Sequence, residues 1–177
     1  HLDFSNNKYL WEAKDVKICN EGILIFWDYI DGKKTRDELI AANELHLKRN
    51  VEKISQVLNG LSQLHNRNIP HFFIRPESII EVEEGKYRLV VVNNEIFKYL
   101  DIEQSNLFSN RENVNYMPPE QLEKKDYDLR SDIFSIGVLL YKSLTGHFPF
   151  QGGKEFELNN SIRRNSIDFD GNLMAHV

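Results

Sequence analysis

The most regular pattern in the sequence lies at residues 128–150, which read DLRSDIFSIGVLLYKSLTGHFPF. Five apolar residues recur there on most sides of a helix: Ile133, Ile136, Leu139, Leu140 and Leu144. Because a helix that is apolar nearly all round must be buried, the pattern predicts a central helix over residues 131–145. Ser131 and Asp132 are suited to cap its start, and Gly146 is suited to end it.

Two further helices and one helix start are predicted around this centre. Residues 48–65 carry apolar side chains at helical spacing and predict a helix that faces the core. A second helix is predicted at residues 154–164. Thr35 and Glu38 have the three-residue spacing of a capping box, so a short helix is predicted to begin at Thr35.

Two hairpins are predicted from β-branched and aromatic runs. Residues 9–18 and 23–30 predict a strand pair joined by the turn Cys19-Asn20-Glu21-Gly22. Residues 79–92 predict a second hairpin, because two apolar pieces flank a polar turn. Residues 93–117 are polar, without periodicity and too long for a passive connection, so they predict a functional loop.

Composition excludes several classes of protein. The 177 residues are 41% hydrophobic and 28% charged, which fits one ordinary globular domain. A net charge of −5 lacks the positive field that nucleic-acid binding requires, so no nucleic-acid partner is expected. No apolar run approaches the roughly 20 residues that span a bilayer, so no membrane insertion is expected. Cys19 is the single cysteine, which favours an intracellular location.

Four motifs, in order, resemble those of the C-lobe of eukaryotic-type protein kinases. Residues 61–71 resemble the end of the family's long helix and the His of its catalytic loop. Pro76-Glu77 sits where the family has Pro-Glu after its catalytic Lys, and residues 116–120, Tyr-Met-Pro-Pro-Glu, resemble the family's Y-x-A-P-E motif. Residues 128–150 match the helix F signature almost position for position. The resemblance implies structural roles for seven residues: His71, Pro76, Glu77, Pro119, Glu120, Asp132 and Gly137.

The resemblance implies an α+β fold. It would be a mostly helical kinase-like C-lobe with a residual N-lobe strand pair, truncated at both ends. Residues 1–30 would correspond to strands 4 and 5 of the N-lobe and the hinge, with Trp27 at the gatekeeper position. Residues 31–177 would correspond to helices D to G, without helices H and I.

Three positions depart from the family pattern for phosphoryl transfer, which requires a carboxylate near the substrate hydroxyl and oxygen ligands for Mg²⁺. Phe73 stands where the catalytic Asp belongs, Ser78 replaces an Asn, and Val91 stands at the metal-binding Asp. A phenyl ring can neither accept a proton nor bind a metal. The resemblance therefore predicts no metal site, no cofactor and no enzymatic activity.

The main functional prediction is a catalytically inactive pseudokinase that serves as an interaction or structural module. Protein partners are expected to cover its N-terminal strands and its C-terminal end. Two alternatives remain open: an atypical serine/threonine kinase whose N-lobe lies outside this chain, and a nucleotide-binding switch. The atypical kinase would need another carboxylate, and Glu77 and Asp28 are the nearest offered by the sequence.

The resemblance also places three hydroxyl residues in the equivalent of the activation segment. Ser105, Ser109 and Tyr116 are therefore candidates for regulatory phosphorylation. Phe72 replaces the Arg that forms the family's phosphate pocket, so a phosphate on this loop would lack its usual partner.

Overall fold

The computed structural model describes residues 7–19, 22–29, 33–34, 44–72, 74–91, 114–123, 127–150, 152, 155–164 and 167. Several predicted features lie outside these residues. They are the capping box that begins at Thr35, the substituted position Phe73, the loop residues Ser105 and Ser109, and residues 93–113 of the predicted functional loop.

The described strands form two sheets. The strands are β1 Leu10–Glu12, β2 Asp15–Cys19, β3 Gly22–Phe26, β4 Lys33–Lys34, β5 Ile79–Glu83 and β6 Lys86–Val91. One sheet has the order β1-β6-β5-β4, and the other consists of β2 and β3. The antiparallel hairpin of β5 and β6 confirms the prediction for residues 79–92.

The first predicted strand divides into two strands that belong to different sheets. β2 and β3 pair antiparallel, with Cys19 opposite Gly22, as predicted. The prediction for residues 9–12 is wrong, because β1 pairs in parallel with β6 and Leu10 lies opposite Leu89. Leu10 is buried against α1, where a Cβ built on Gly60 would lie 2.9 Å from Leu10 Cδ2. Burial of Leu10 in the main core explains the change of sheet.

The described helices are α1 Glu44–His65, α2 Pro119–Leu122, α3 Leu129–Thr145 and α4 Glu155–Arg164, with a 3₁₀ turn at Pro76–Ser78. In the part of the chain that the structure describes, no helix has the length and apolar character needed to cross a membrane.

The predicted central helix, α3, begins two residues earlier than expected. Asp128 is its N-cap: the Asp128 carboxylate accepts from the Arg130 amide, while the Ser131 hydroxyl accepts from the Asp128 amide. Ser131 and Asp132 therefore lie inside the first turn, and the prediction that they cap the helix is wrong. The helix ends at Gly146, as predicted, where a φ of 76° suits a residue without a Cβ.

The core lies between α1, α3 and β6. On α3, Leu139 is fully buried, whereas Ile133 is 52% exposed and Gly137 is also exposed. The prediction of burial on most sides is therefore wrong for the face that carries Ile133. A hydrogen bond of 3.2 Å from Asn50 Nδ2 to the Ser143 carbonyl joins α1 to α3. Further buried core residues are Leu10, Val57, Leu61, Leu64, Ile74, Leu89, Ile136, Val138 and Leu158.

Candidate functional site

The loop between α1 and β5 is held by one carboxylate of α3. Asp132 is fully buried and accepts two backbone hydrogen bonds from this loop. The His71 amide donates to Asp132 Oδ2 at 2.7 Å, and the Phe72 amide donates to Oδ1 at 3.0 Å. The loop backbone is therefore fixed to the central helix at two consecutive residues.

Two side chains complete the partners of Asp132. His65 Nε2 lies 2.9 Å from Oδ2, and the Tyr127 hydroxyl donates to Oδ1 at 2.7 Å. A buried carboxylate is tolerated only when its charge is well hydrogen-bonded, and here each oxygen has two partners. Sequence reasoning missed both side chains. His65 ends the predicted helix and Tyr127 precedes the helix cap, but neither position by itself indicates a shared carboxylate.

His71 ties the same loop to strand β6. Its Nε2 lies 2.7 Å from the Val90 carbonyl, and since a carbonyl oxygen can only accept, Nε2 carries the proton. Burial lowers the pKa of His71 below 6.5, although Asp132 acts in the opposite direction. The imidazole is therefore held neutral near neutral pH.

The backbone at Phe72 adopts a left-handed conformation, with φ at 72°. This region is sterically costly for a residue with a bulky side chain. The Phe72 ring packs on the Tyr127 ring with centroids 4.5 Å apart and planes 30° apart. At the position where the family has a basic residue, this chain therefore has an aromatic side chain that packs on a second aromatic ring.

The turn after the loop is closed by Ser78. Its hydroxyl donates to the Arg75 carbonyl at 2.7 Å and accepts from the Arg75 amide at 3.1 Å. Pro76 begins the 3₁₀ turn, where its missing N–H costs nothing. Glu77 Oε2 lies 3.8 Å from Arg75 Nε, and both side chains are about one-quarter exposed. Arg75 Nη1 is buried and has no hydrogen-bond partner among the described residues.

The described residues do not form a magnesium site. Val91 is buried on β6 and offers no ligand atom, and the Ser78 hydroxyl is occupied by the Arg75 backbone. Within the described ranges, no group of three or more His, Cys, Asp or Glu side chains could hold a metal ion.

Trp27 follows β3 and packs against Trp11 of β1, with ring centroids 5.1 Å apart. This contact joins the small hairpin to the main sheet. The next residue, Asp28, forms an exposed ion pair with Lys14. Asp28 therefore lies beside the Trp27 ring but outside the loop that Asp132 holds.

The remaining predicted residues lie around α2 and the start of α3. Pro119 is the first residue of α2, and Glu120 accepts a hydrogen bond from the Ser131 hydroxyl. Tyr116 is buried, and its ring meets that of Phe148 edge-on at 5.3 Å. Regulation through Tyr116 stays a prediction, and phosphorylation there would require this ring to leave the core.

Comparison with known proteins identifies the family. The model of the protein kinase domain matches residues 3–173. The chain belongs to the protein kinase family. Calcium-dependent protein kinase 5 of Plasmodium falciparum is 28% identical over 176 residues, which are 99% of this chain and 30% of that protein. Serine/threonine-protein kinase PknL of Mycobacterium tuberculosis is 27% identical over 174 residues, which are 94% of this chain and 43% of that protein.

A solved structure shows the same fold. The twitchin kinase region from C. elegans matches with a TM-score of 0.67 and 20% identity, covering 94% of this kinase chain and 29% of the twitchin chain. The predicted α+β kinase-like fold is confirmed. This chain spans less than half the length of the curated kinases that it matches.

The comparisons overturn one prediction. The chain was expected not to be an enzyme because Phe73 and Val91 replace catalytic side chains. The family is that of the protein kinase domain, and the curated relatives are named as protein kinases, so this expectation is wrong. The side chains of Phe73 and Val91 can neither accept a proton nor bind a metal ion, but these two positions alone do not decide whether the protein is an enzyme.

Proposed function

We propose that this chain contributes the C-lobe of an atypical serine/threonine protein kinase. The whole protein would transfer a phosphoryl group from a nucleotide to a serine or threonine hydroxyl. The family match supports this proposal, as does the name of the PknL relative, a serine/threonine-protein kinase.

The proposal rests on the surroundings of the Arg75 guanidinium. Asp132 holds the loop at Phe72, and Ser78 closes the turn that begins at Arg75. Arg75 therefore lies between two anchored points. Its Nη1 is buried without a partner among the described residues, which is costly for a charged donor. Phosphate oxygens are the acceptors that a guanidinium binds best, so Arg75 is suited to contact the transferred phosphoryl group.

Glu77 is the carboxylate that we place beside the substrate hydroxyl. It lies in the same turn as Arg75 and keeps about one-quarter of its side chain exposed. Asp28 is less suited, because it is 61% exposed and paired with Lys14 at the end of β3. Phe73 has no group that could accept a proton. No step of the proposed reaction is assigned to a metal ion, because the described residues do not form a site for one.

The test is transfer of radiolabelled phosphate from ATP to generic serine/threonine substrates by the purified whole protein, with Mg²⁺ or Mn²⁺ in the buffer. Glu77→Gln should lower the rate by at least about 10²-fold, since a positioned acid–base group contributes about that much. Arg75→Met should lower it by about 10²–10³-fold, since a group that stabilises the charge developing in the transition state contributes about that much. Glu84→Gln is the matched control, because Glu84 is 91% exposed in a surface turn. Natively folded protein that transfers no phosphate under any of these conditions would contradict the proposal.

A nucleotide-binding switch is the second candidate. It is favoured by the combination of Arg75, which offers a phosphate contact, with the apolar residues Phe73 and Val91 at positions where transfer requires carboxylates. Thermal melting with ATP and the transfer assay together separate the two candidates. Both candidates bind nucleotide in the native state and are stabilised by it, but only the kinase transfers phosphate. A rise in melting temperature without any phosphate transfer would support the switch, and transfer would exclude it.

A further inference from the structure

The strained backbone at Phe72 needs an explanation. Among the described residues, two that are not glycine have a positive φ: Asn68 at 58° and Phe72 at 72°. Asparagine tolerates this conformation because its short amide can bond locally, whereas phenylalanine gains no such compensation. The surroundings of Phe72 must therefore impose the conformation.

Tyr127 restrains two parts of Phe72: it contacts the ring directly, and it acts on the backbone amide through Asp132. Its ring packs on the Phe72 ring at a centroid distance of 4.5 Å. Its hydroxyl donates at 2.7 Å to Asp132 Oδ1, the same oxygen that accepts the Phe72 amide at 3.0 Å. One side chain thus restrains the ring of the strained residue and orients the acceptor of its backbone amide.

We propose that Tyr127 is a positioning residue, whose ring and hydroxyl together hold Phe72 in the left-handed conformation. In doing so Tyr127 sets the direction in which the chain leaves Phe72 toward Arg75 and Glu77. The consequence for phosphoryl transfer rests on the proposed function, whereas the restraint on the backbone does not.

The protonation state of Tyr127 suits this role. Burial, together with the neighbouring Asp132 charge, raises the pKa of the phenol far above its ordinary value. The hydroxyl therefore keeps its proton and remains a donor at neutral pH. The restraint also acts separately from His71, which donates to the other oxygen of Asp132 and to the Val90 carbonyl.

Hydrogen exchange of the peptide that contains His71 and Phe72, measured in the whole protein, tests the restraint without reference to activity. Tyr127→Leu should raise its exchange rate at least about tenfold, because both a ring pair and a hydrogen bond to a carboxylate are lost. Tyr127→Phe keeps the ring and should have a smaller effect. Tyr29→Leu is the matched control, since Tyr29 is 90% exposed.

A more specific test compares Tyr127→Leu in two backgrounds, one with the strained backbone at residue 72 and one without it. Glycine adopts a φ of 72° without cost, so in a Phe72→Gly background the restraint is no longer needed. Tyr127→Leu should then change the exchange rate of this peptide less than twofold. An equal increase in both backgrounds, or unchanged exchange in the wild-type background with a lower melting temperature, would show that Tyr127 only contributes packing and would overturn the proposal.

Kinetics of the whole protein test the consequence for catalysis. Tyr127→Leu should lower kcat at least about tenfold and leave KM for nucleotide within twofold, since the lost contacts position the loop and do not bind substrate. If the wild-type protein transfers no phosphate, the proposed function fails while the exchange experiment still decides the role of Tyr127. A change in KM with kcat unchanged would contradict positioning.

Discussion

Replacement of Asp132 by asparagine tests the centre of the site most directly. The carboxylate is fully buried and has four hydrogen-bond partners: the His71 and Phe72 amides, His65 Nε2 and the Tyr127 hydroxyl. Asparagine has nearly the same size and shape. It offers one acceptor oxygen, and its NH₂ group faces two of the former donors. The Asp132→Asn variant should therefore fold with the same contacts but lose about half of its hydrogen bonds at this point.

The size of the effect follows from the number of bonds lost. A hydrogen bond to a charged group contributes about 1.5–3 kcal/mol, so the loss of two lowers the free energy of unfolding by about 3–6 kcal/mol. For a domain of this size each kcal/mol changes the melting temperature by about 2–4 °C, so a decrease of roughly 6–24 °C is expected.

Thermal unfolding of the whole protein, followed by circular dichroism, measures this change. Asp128→Asn is the matched control, because Asp128 caps the same helix at the surface and asparagine is an equally good N-cap. That variant should have the same melting temperature as the wild type. If Asp132→Asn melted within about 2 °C of the wild type, the four hydrogen bonds could not be what holds the loop.

Three further predictions concern the fold and the charge state of the site. Gly60→Val should cost about 1–3 kcal/mol in denaturant titrations, because its Cβ would lie 2.9 Å from Leu10 Cδ2; an unchanged midpoint would refute that contact. Leu139→Asp should abolish folding, as judged by circular dichroism, whereas Ile133→Asp should fold because that site is 52% exposed. Burial lowers the pKa of His71, so in acid the unfolded state binds more protons than the folded state. The free energy of unfolding should therefore fall as the pH drops below about 6.5. His71→Gln should reduce this pH dependence of the melting temperature between pH 5 and 8.

The sequence predicts the presence of the helices better than it predicts the residues at which they begin. The end of α3 is fixed by one residue, Gly146, and its position was correct. The start was wrong because Asp128, Ser131 and Asp132 all have side chains that can cap a helix. Local pattern cannot choose among them. The choice depends on Asp132 being drawn into the interior by the loop amides, a contact between residues about 60 positions apart.

The pairing of β1 illustrates the same limit for strands. Leu10 and Leu89 are opposite each other in register, yet nothing near Leu10 in the sequence points to a partner so far away. A hairpin with β2 was the nearer alternative and therefore the natural prediction. The structure prefers the distant strand because Leu10 fills the space that Gly60 leaves on α1.

At the candidate site, the sequence identified the loop but not all of the side chains that hold it in place. The kinase resemblance implied a structural role for Asp132, and in the structure its carboxylate accepts the His71 and Phe72 amides of the loop. Tyr127 and His65 were missed because their importance depends on where a buried carboxylate lies, which has no local signature. Tyr127 stands five residues before Asp132, so a search for donors within one helical turn of the helix start would have found it.

The hydrogen bonds that anchor the loop involve residues on both sides of position 73 in the sequence. On one side the anchors are the backbone amides of His71 and Phe72, and on the other the Ser78 hydroxyl bonds to the backbone of Arg75. None of these bonds involves the side chain of residue 73. A substitution there changes the available chemistry but removes no bond that these anchors make. Function must therefore be argued from the groups on the anchored turn.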